Sequence, residues 1–125
     1  MNKLSPEITQ AYANELLCII QLWQTMNSAS IPHSVLSEIA TRYDTDRVAA
    51  HRAEGRPDTA MLDTALFREV IALNMSSSLI ELTQFSTVRL TPAGEVKVDE
   101  QLQQECQATS TDPILLAIIS SLSSS

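Results

Sequence analysis

Leu79-Ile80-Glu81-Leu82-Thr83 and Thr87-Val88-Arg89-Leu90-Thr91, joined by Gln84-Phe85-Ser86 and closed by Pro92-Ala93-Gly94, form the stretch on which the fold turns. Both five-residue runs are β-prone, and Val88 and Leu90 alternate with Arg89 at the strand period. The three residues between them fit a short hairpin loop. Leu90 is expected to point inward, Thr91 to cap a helix and Pro92 to open it. Ala93 and Gly94 are small enough to let that helix approach the strand closely.

Downstream, Glu95 to Gln107 reads as a polar helix with Val96, Val98, Leu102 and Cys106 as a thin apolar stripe. Thr109 to Asp112 reads as a linker. Asp112-Pro113 is then cap and first residue of a last helix, Ile114 to Leu122, which is apolar nearly all round. Upstream, Ser5 is expected to cap a long first helix, with Pro6 in its first turn and Glu7 complementing the dipole. Apolar residues recur there at Ile8, Tyr12, Leu16, Ile19, Trp23 and Met26, widened by Leu17 and Ile20. The stripe stops at Asn27-Ser28-Ala29-Ser30.

A second helix begins around Pro32, with Val35, Leu36, Ile39, Ala40 and Tyr43 as its buried face. Asp44-Thr45-Asp46 either turns the chain into a third short helix, Arg47 to Glu54, or lies inside one helix from Pro32 to Glu54. Gly55 and Pro57 are stop signals on both readings. Asp58 or Thr59 caps a further helix carrying Met61, Leu62, Ala65, Leu66, Glu69, Val70 and Leu73. Its wide stripe predicts the most buried helix, weakened at Ser76-Ser77-Ser78.

The order helix, helix-turn-helix, helix, two-stranded hairpin, helix resembles a winged-helix domain. Leu79 to Leu82 with Val88 to Gly94 resembles the wing of MarR- and PadR-like regulators, where a Leu-Thr-Pro-Ala-Gly run closes the second strand. The long first helix and apolar last helix are similar to the elements that build the dimer in that family. The resemblance implies a helix-turn-helix protein of transcription regulation, with Leu36 to Ala40 on the support helix and Arg47 to Arg52 on the reading helix. The loop at Gln84 to Ser86 departs from the pattern, because a DNA-reading wing usually carries Arg or Lys.

Composition limits the function. The chain has 125 residues, 44% apolar and 18% charged, which suits one globular domain. Gly55 and Gly94 are its only glycines, which argues against a glycine-rich phosphate loop. The net charge of −7 disfavours nonspecific attachment to nucleic acid or to anionic membranes. No apolar run approaches the roughly 20 residues that span a bilayer. Cys18 and Cys106 show no metal spacing, and the first residues lack a basic-then-apolar leader. Together these predict reduced thiols and a cytoplasmic protein.

No residue pattern points to catalysis. His33 and His51 are too few for a metal centre, and Asp99, Glu100 and Glu105 read as a solvated helix surface. Neither a cofactor nor a metal is expected. The stretch able to touch phosphate carries Arg42, Arg47, His51, Arg52 and Arg56. Asp44, Asp46, Glu54 and Asp58 are interleaved with it, so a solvated face laced with ion pairs explains it without function and is the favoured reading. The apolar candidates for a partner or homodimer interface are Trp23, Met26, Ile114, Leu115, Ile118 and Ile119, with this domain's own core as the competing assignment.

The sequence therefore predicts a mainly α (α+β) domain over residues 1–122, winged-helix-like with one two-stranded hairpin, and a disordered tail over 123–125. The expected function is that of a non-enzymatic regulatory or adaptor protein acting on protein, with DNA as a second ligand. The alternative is an acidic protein-binding partner such as a secretion chaperone, antitoxin, immunity protein or assembly adaptor. A small-molecule sensor lined by Met61, Leu66 and Met75 is the third.

Overall fold

Five consecutive residues of the first helix, Leu16 to Ile20, are each at most 2% exposed. At about 100° per residue they cover every side of the helix, so other elements must enclose it. The computed structural model describes residues 6–56 and 62–123, and in it this helix, α1 (Pro6–Asn27), is the axis of the domain. Around it lie α3 (Thr64–Ser76), α4 (Pro92–Glu100), α5 (Gln103–Ser110) and a sheet of β1 (Ile31–Pro32), β2 (Ile80–Leu82) and β3 (Thr87–Leu90). The helix α2 (His33–Ala53) packs mainly on α6 (Pro113–Ser123) and also touches α1. The mainly α (α+β) class holds. The central position goes to α1, not to the helix around Val70 as its stripe suggested.

The hairpin forms in the expected register, antiparallel, with Ile80 opposite Leu90 and Leu82 opposite Val88. The sheet gains a third strand that the sequence did not announce, since β1 pairs Ile31 with Val88. The sheet order is β1-β3-β2, so Pro32 sits on an edge, where its missing N–H costs no ladder bond.

The junction after β3 follows the sequence reading closely. The Thr91 hydroxyl accepts from Gly94 N–H at 3.1 Å and Pro92 opens α4. Leu79 C=O accepts from Thr91 N–H at 3.0 Å. A Cβ on Gly94 would lie 2.0 Å from that same oxygen. The glycine is therefore required by contact between helix and strand. At the end of α2 the Gly55 stop signal works as read, while Pro57 lies outside the described residues: Gly55 takes φ +81°, Gly55 N–H bonds Arg52 C=O, and Arg56 N–H bonds His51 C=O. Asp112 caps α6, accepting from Ile114 N–H at 2.9 Å.

One open choice is decided and three boundaries differ from expectation. First, of the two readings of residues 32–54, α2 is the single continuous helix, so the turn at Asp44-Thr45-Asp46 and the separate helix from Arg47 do not form. The polar residues find their bonds inside the helix: Thr41 donates to Ser37 C=O and Thr45 to Thr41 C=O, which removes the need to turn. Second, α3 starts at Thr64, with the Asp63 carboxylate accepting from Leu66 N–H at 2.8 Å. The expected caps Ser5, Asp58 and Thr59, and the core candidate Met61, lie outside the described residues. Third, the helix expected from Glu95 to Gln107 is two helices, broken at Gln101-Leu102, where Leu102 turns into the core. Fourth, α6 runs through Ser123, one residue into the expected tail.

Cys18 and Cys106 are not separate thiols. They form a disulfide between α1 and α5, with Cα atoms 4.9 Å apart and a sequence separation of 88. A crosslink over a loop of that length stabilises by about 4–5 kcal/mol in the chain-entropy account. Among the described residues no helix is long and apolar enough to cross a membrane.

Ser78 ends α3 in the left-handed region, φ +60°, where a side chain is unfavourable. Ser78→Gly should therefore raise stability by about 0.5–1 kcal/mol. Gly94→Ala should lower it by about 3 kcal/mol, because a backbone oxygen cannot move aside. Urea unfolding of the two variants beside the parent chain checks both signs.

Candidate functional site

The arginine-bearing stretch falls on α2, whose geometry decides what it can offer. At about 100° per residue, Arg42 and Arg47 point roughly 140° apart. The helix ends at Ala53, so Arg56 is not on it and does not share a helical face with Arg52. Arg42 lies 3.8 Å from Glu38, and Arg56 is paired with Glu54 at 2.6 Å. Arg52 is exposed and His51 half-buried.

Arg47 is drawn inward. Its guanidinium meets Glu15 of α1 at 2.6 Å and Asp44 at 2.9 Å, and lies 4.8 Å from the centre of the Tyr43 ring. Asp44 is 1% exposed. Its carboxylate also accepts from Tyr12 O–H at 2.7 Å and from Leu62 N–H at 3.0 Å. Tyr43 O–H donates to Asp112 at 2.5 Å, which links the cluster to the start of α6. These bonds join α1, α2, the approach to α3 and α6. Burial, and then the bond to Asp44, push the Tyr12 phenol above its ordinary range; burial and Asp112 do the same to Tyr43. Burial lowers the Arg47 guanidinium, but the Glu15 charge and hydrogen bond outweigh it and hold the proton firmly. The Glu15 carboxyl is pushed up by burial, which the Arg47 pair only partly offsets. This is a structural clasp.

The interface candidates divide in a similar way. Trp23, Leu115, Ile118 and Ile119 are buried in the domain's own core, Ile114 is half-buried against it, and Met26 is exposed. The last helix buries its apolar face on α2, so it does not require a second chain to cover it.

The hairpin tip is different. Of the five aromatic residues, Trp23, Tyr43 and Phe67 are buried, Tyr12 is half-buried, and Phe85 is 78% exposed. Leu82 shares a sheet face with the buried Val88 opposite it, yet lies beyond the core's edge and is 50% exposed. The loop that carries Phe85 is tightly bonded. Thr83 N–H donates to Thr87 C=O at 2.8 Å, and the two threonine hydroxyls bond each other at 2.6 Å. Phe85 N–H donates to the Thr83 hydroxyl at 3.2 Å, and Ser86 C=O accepts from His33 N–H at 2.9 Å. On the opposite face Glu81 pairs with Arg89. A shallow depression of about 500 Å³ adjoins the tip, lined by Ser30, Leu82, Gln84, Phe85 and Thr87 among others. The one signal for this site in the sequence was an aromatic residue in an uncharged loop.

Among the described residues no group of three or more His, Cys, Asp or Glu is placed to hold a metal ion. No family model, curated protein or solved structure matches the chain.

Asp44→Ala should cost about 3 kcal/mol, because it strands the Tyr12 phenol and the Leu62 N–H and leaves the partly buried Arg47 guanidinium with Glu15 alone; thermal unfolding measures it. For Glu15 the sign follows from its raised folded value. The folded chain holds this proton more tightly than the unfolded chain, so stability falls as pH rises from the ordinary glutamate range through the raised value. Glu15→Gln should remove that fall from a melting-temperature profile taken between about pH 4 and pH 8.

Proposed function

We propose that this chain is a non-enzymatic regulatory or adaptor domain of winged-helix-like build that docks on another protein through the tip of its β2–β3 hairpin. The observation that carries the reading is Phe85, exposed beside Leu82 on a loop fixed by hydrogen bonds. A large rigid aromatic loses little entropy on binding and fills a pocket with much apolar area. The net charge of −7 gives the partner its chemistry: an apolar pocket with a basic rim. The winged-helix element of the proposal rests on helices followed by the hairpin, and on the Thr91-Pro92-Ala93-Gly94 closure.

Protein is favoured over DNA because Arg42, Arg47 and Arg56 are each paired with acids of their own chain. Phosphate contact would have to break those pairs. The cysteine pairing also removes one ground for expecting a reducing compartment.

The test uses the parent chain and a Leu82→Ser/Phe85→Ser variant as baits against an extract of the source cells, with the recovered partner then titrated on both. The variant should unfold within about 0.5 kcal/mol of the parent, since both side chains face solvent. Its affinity for the partner should fall about 30-fold, the loss of one hot-spot anchor. Equal recovery on both baits overturns the docking site. A low-salt gel shift that is lost on replacing the exposed Arg52 with Glu, in a variant that melts like the parent, would instead support DNA.

A further inference from the structure

The helix α5 has the sequence Gln103-Gln104-Glu105-Cys106-Gln107-Ala108-Thr109-Ser110, and Cys106 is its single buried residue. Thr109 and Ser110 are half-buried and the other five are exposed. A helix of eight residues this polar does not hold itself to a domain by apolar burial. Its fastening to α1 is the bond from Cys106 to Cys18. Neighbouring elements have anchors of their own: Val98 and Leu102 before it, and Leu115, Ile118 and Ile119 after it.

The two sulfurs sit in unequal surroundings. Both cysteines belong to the core, Cys18 at 2% exposure on α1 among Leu17, Ile19 and Ile20, and Cys106 at 6%. Cys106 also borders an open surface depression of about 520 Å³, lined by Gln21, Asp99, Gln103, Gln107 and Ser110. Cys106 is therefore the end of the bond that a depression open to solvent adjoins. Thiol–disulfide exchange requires the attacking sulfur to reach its target, and access selects Cys106.

We propose that Cys18–Cys106 is a redox-responsive fastener, opened at Cys106 by a low-molecular-weight thiol, and that its state decides whether α5 is held against α1. The thiolate of a glutathione-class molecule attacks the Cys106 sulfur, forming a mixed disulfide there. The Cys18–Cys106 bond breaks, its electron pair leaves with Cys18, and Cys18 takes a proton from solvent. A second thiolate attacks the sulfur of the bound thiol, releasing Cys106 as a thiolate and forming the oxidised dimer of the small thiol. Two small thiols are oxidised and one protein disulfide is reduced. Cys106 is then only a small apolar side chain, and α5 loosens while the core around α1 and α3 keeps its packing.

The full chain, oxidised and then treated with reduced glutathione, tests this by hydrogen exchange with mass spectrometry. Exchange over residues 103–110 should accelerate roughly tenfold or more on reduction, while residues 13–20 and 66–74 keep their protection. Acid-quenched intermediates should carry glutathione on Cys106. A Cys18→Ala/Cys106→Val variant, which keeps an apolar anchor and has no sulfur to exchange, should show no response to glutathione. Unchanged exchange in 103–110, loss of protection throughout the chain, or an adduct on Cys18 would overturn the proposal. So would two cysteines that stay free after treatment with an oxidant. None of these outcomes depends on the hairpin, so this inference and the docking reading fail separately.

Discussion

The burial of α1 on every side is the constraint the other elements answer to. Leu16, Leu17, Cys18, Ile19 and Ile20 leave no face of the helix middle fit for water. The chain therefore places α3, α4, α5 and the sheet around it. Enclosure also brings polar groups close to α1. Asn74, fully buried on α3, donates its amide to Ala13 C=O at 3.1 Å, a bond that ties the two helices inside the apolar layer. Gln24, further along α1, accepts from Leu90 N–H at 3.0 Å and so seats the sheet on the helix. Apolar demand sets the arrangement, and these few bonds fix its register.

The charged clasp serves the same helix from its other end. A buried carboxylate such as Asp44 is costly to desolvate, and it is stable here because three donors converge on it. The donors come from α1, from α2 itself and from Leu62, two residues before α3. Breaking any one leaves the others short, so the cluster acts as a geometric lock. Arg47 cannot serve this lock and a phosphate together. Its partner Glu15 lies 32 residues earlier on another helix, a pairing invisible to any reading of neighbours in sequence.

That difference separates what was legible in the sequence from what was not. Thr91-Pro92-Gly94, Gly55 and Asp112-Pro113 announce themselves because a cap or a left-handed turn is set by residues within a few positions of one another. The two hairpin strands were legible for the same reason. The two-residue strand β1 was not, because only Val88, far along the chain, makes it a strand. The single helix α2 was ambiguous in sequence because Asp44 and Asp46 are turn formers until Arg47 and Tyr12 engage Asp44. The apolar run of α6 looked like an interface because its cover, α2, cannot be seen from composition. Cys18 and Cys106 looked like isolated thiols across 88 residues.

The hairpin tip belongs to neither group, and that is why it stands out in the structure. Elsewhere order follows from burial; at Gln84 to Ser86 it follows from hydrogen bonds alone. Thr83 supplies a hydroxyl, a carbonyl and an N–H to the turn, and Ser86 accepts φ +59° to complete it. A residue in the left-handed region carries a conformational cost, and here the hydrogen bonds offset it to hold a loop whose largest side chain touches little of the domain. If Phe85 were only a solvated loop residue, nothing in the core would require such a closed turn. Ordering before contact lowers what a binding partner must overcome, so the rigidity of the turn and the exposure of Phe85 support one reading.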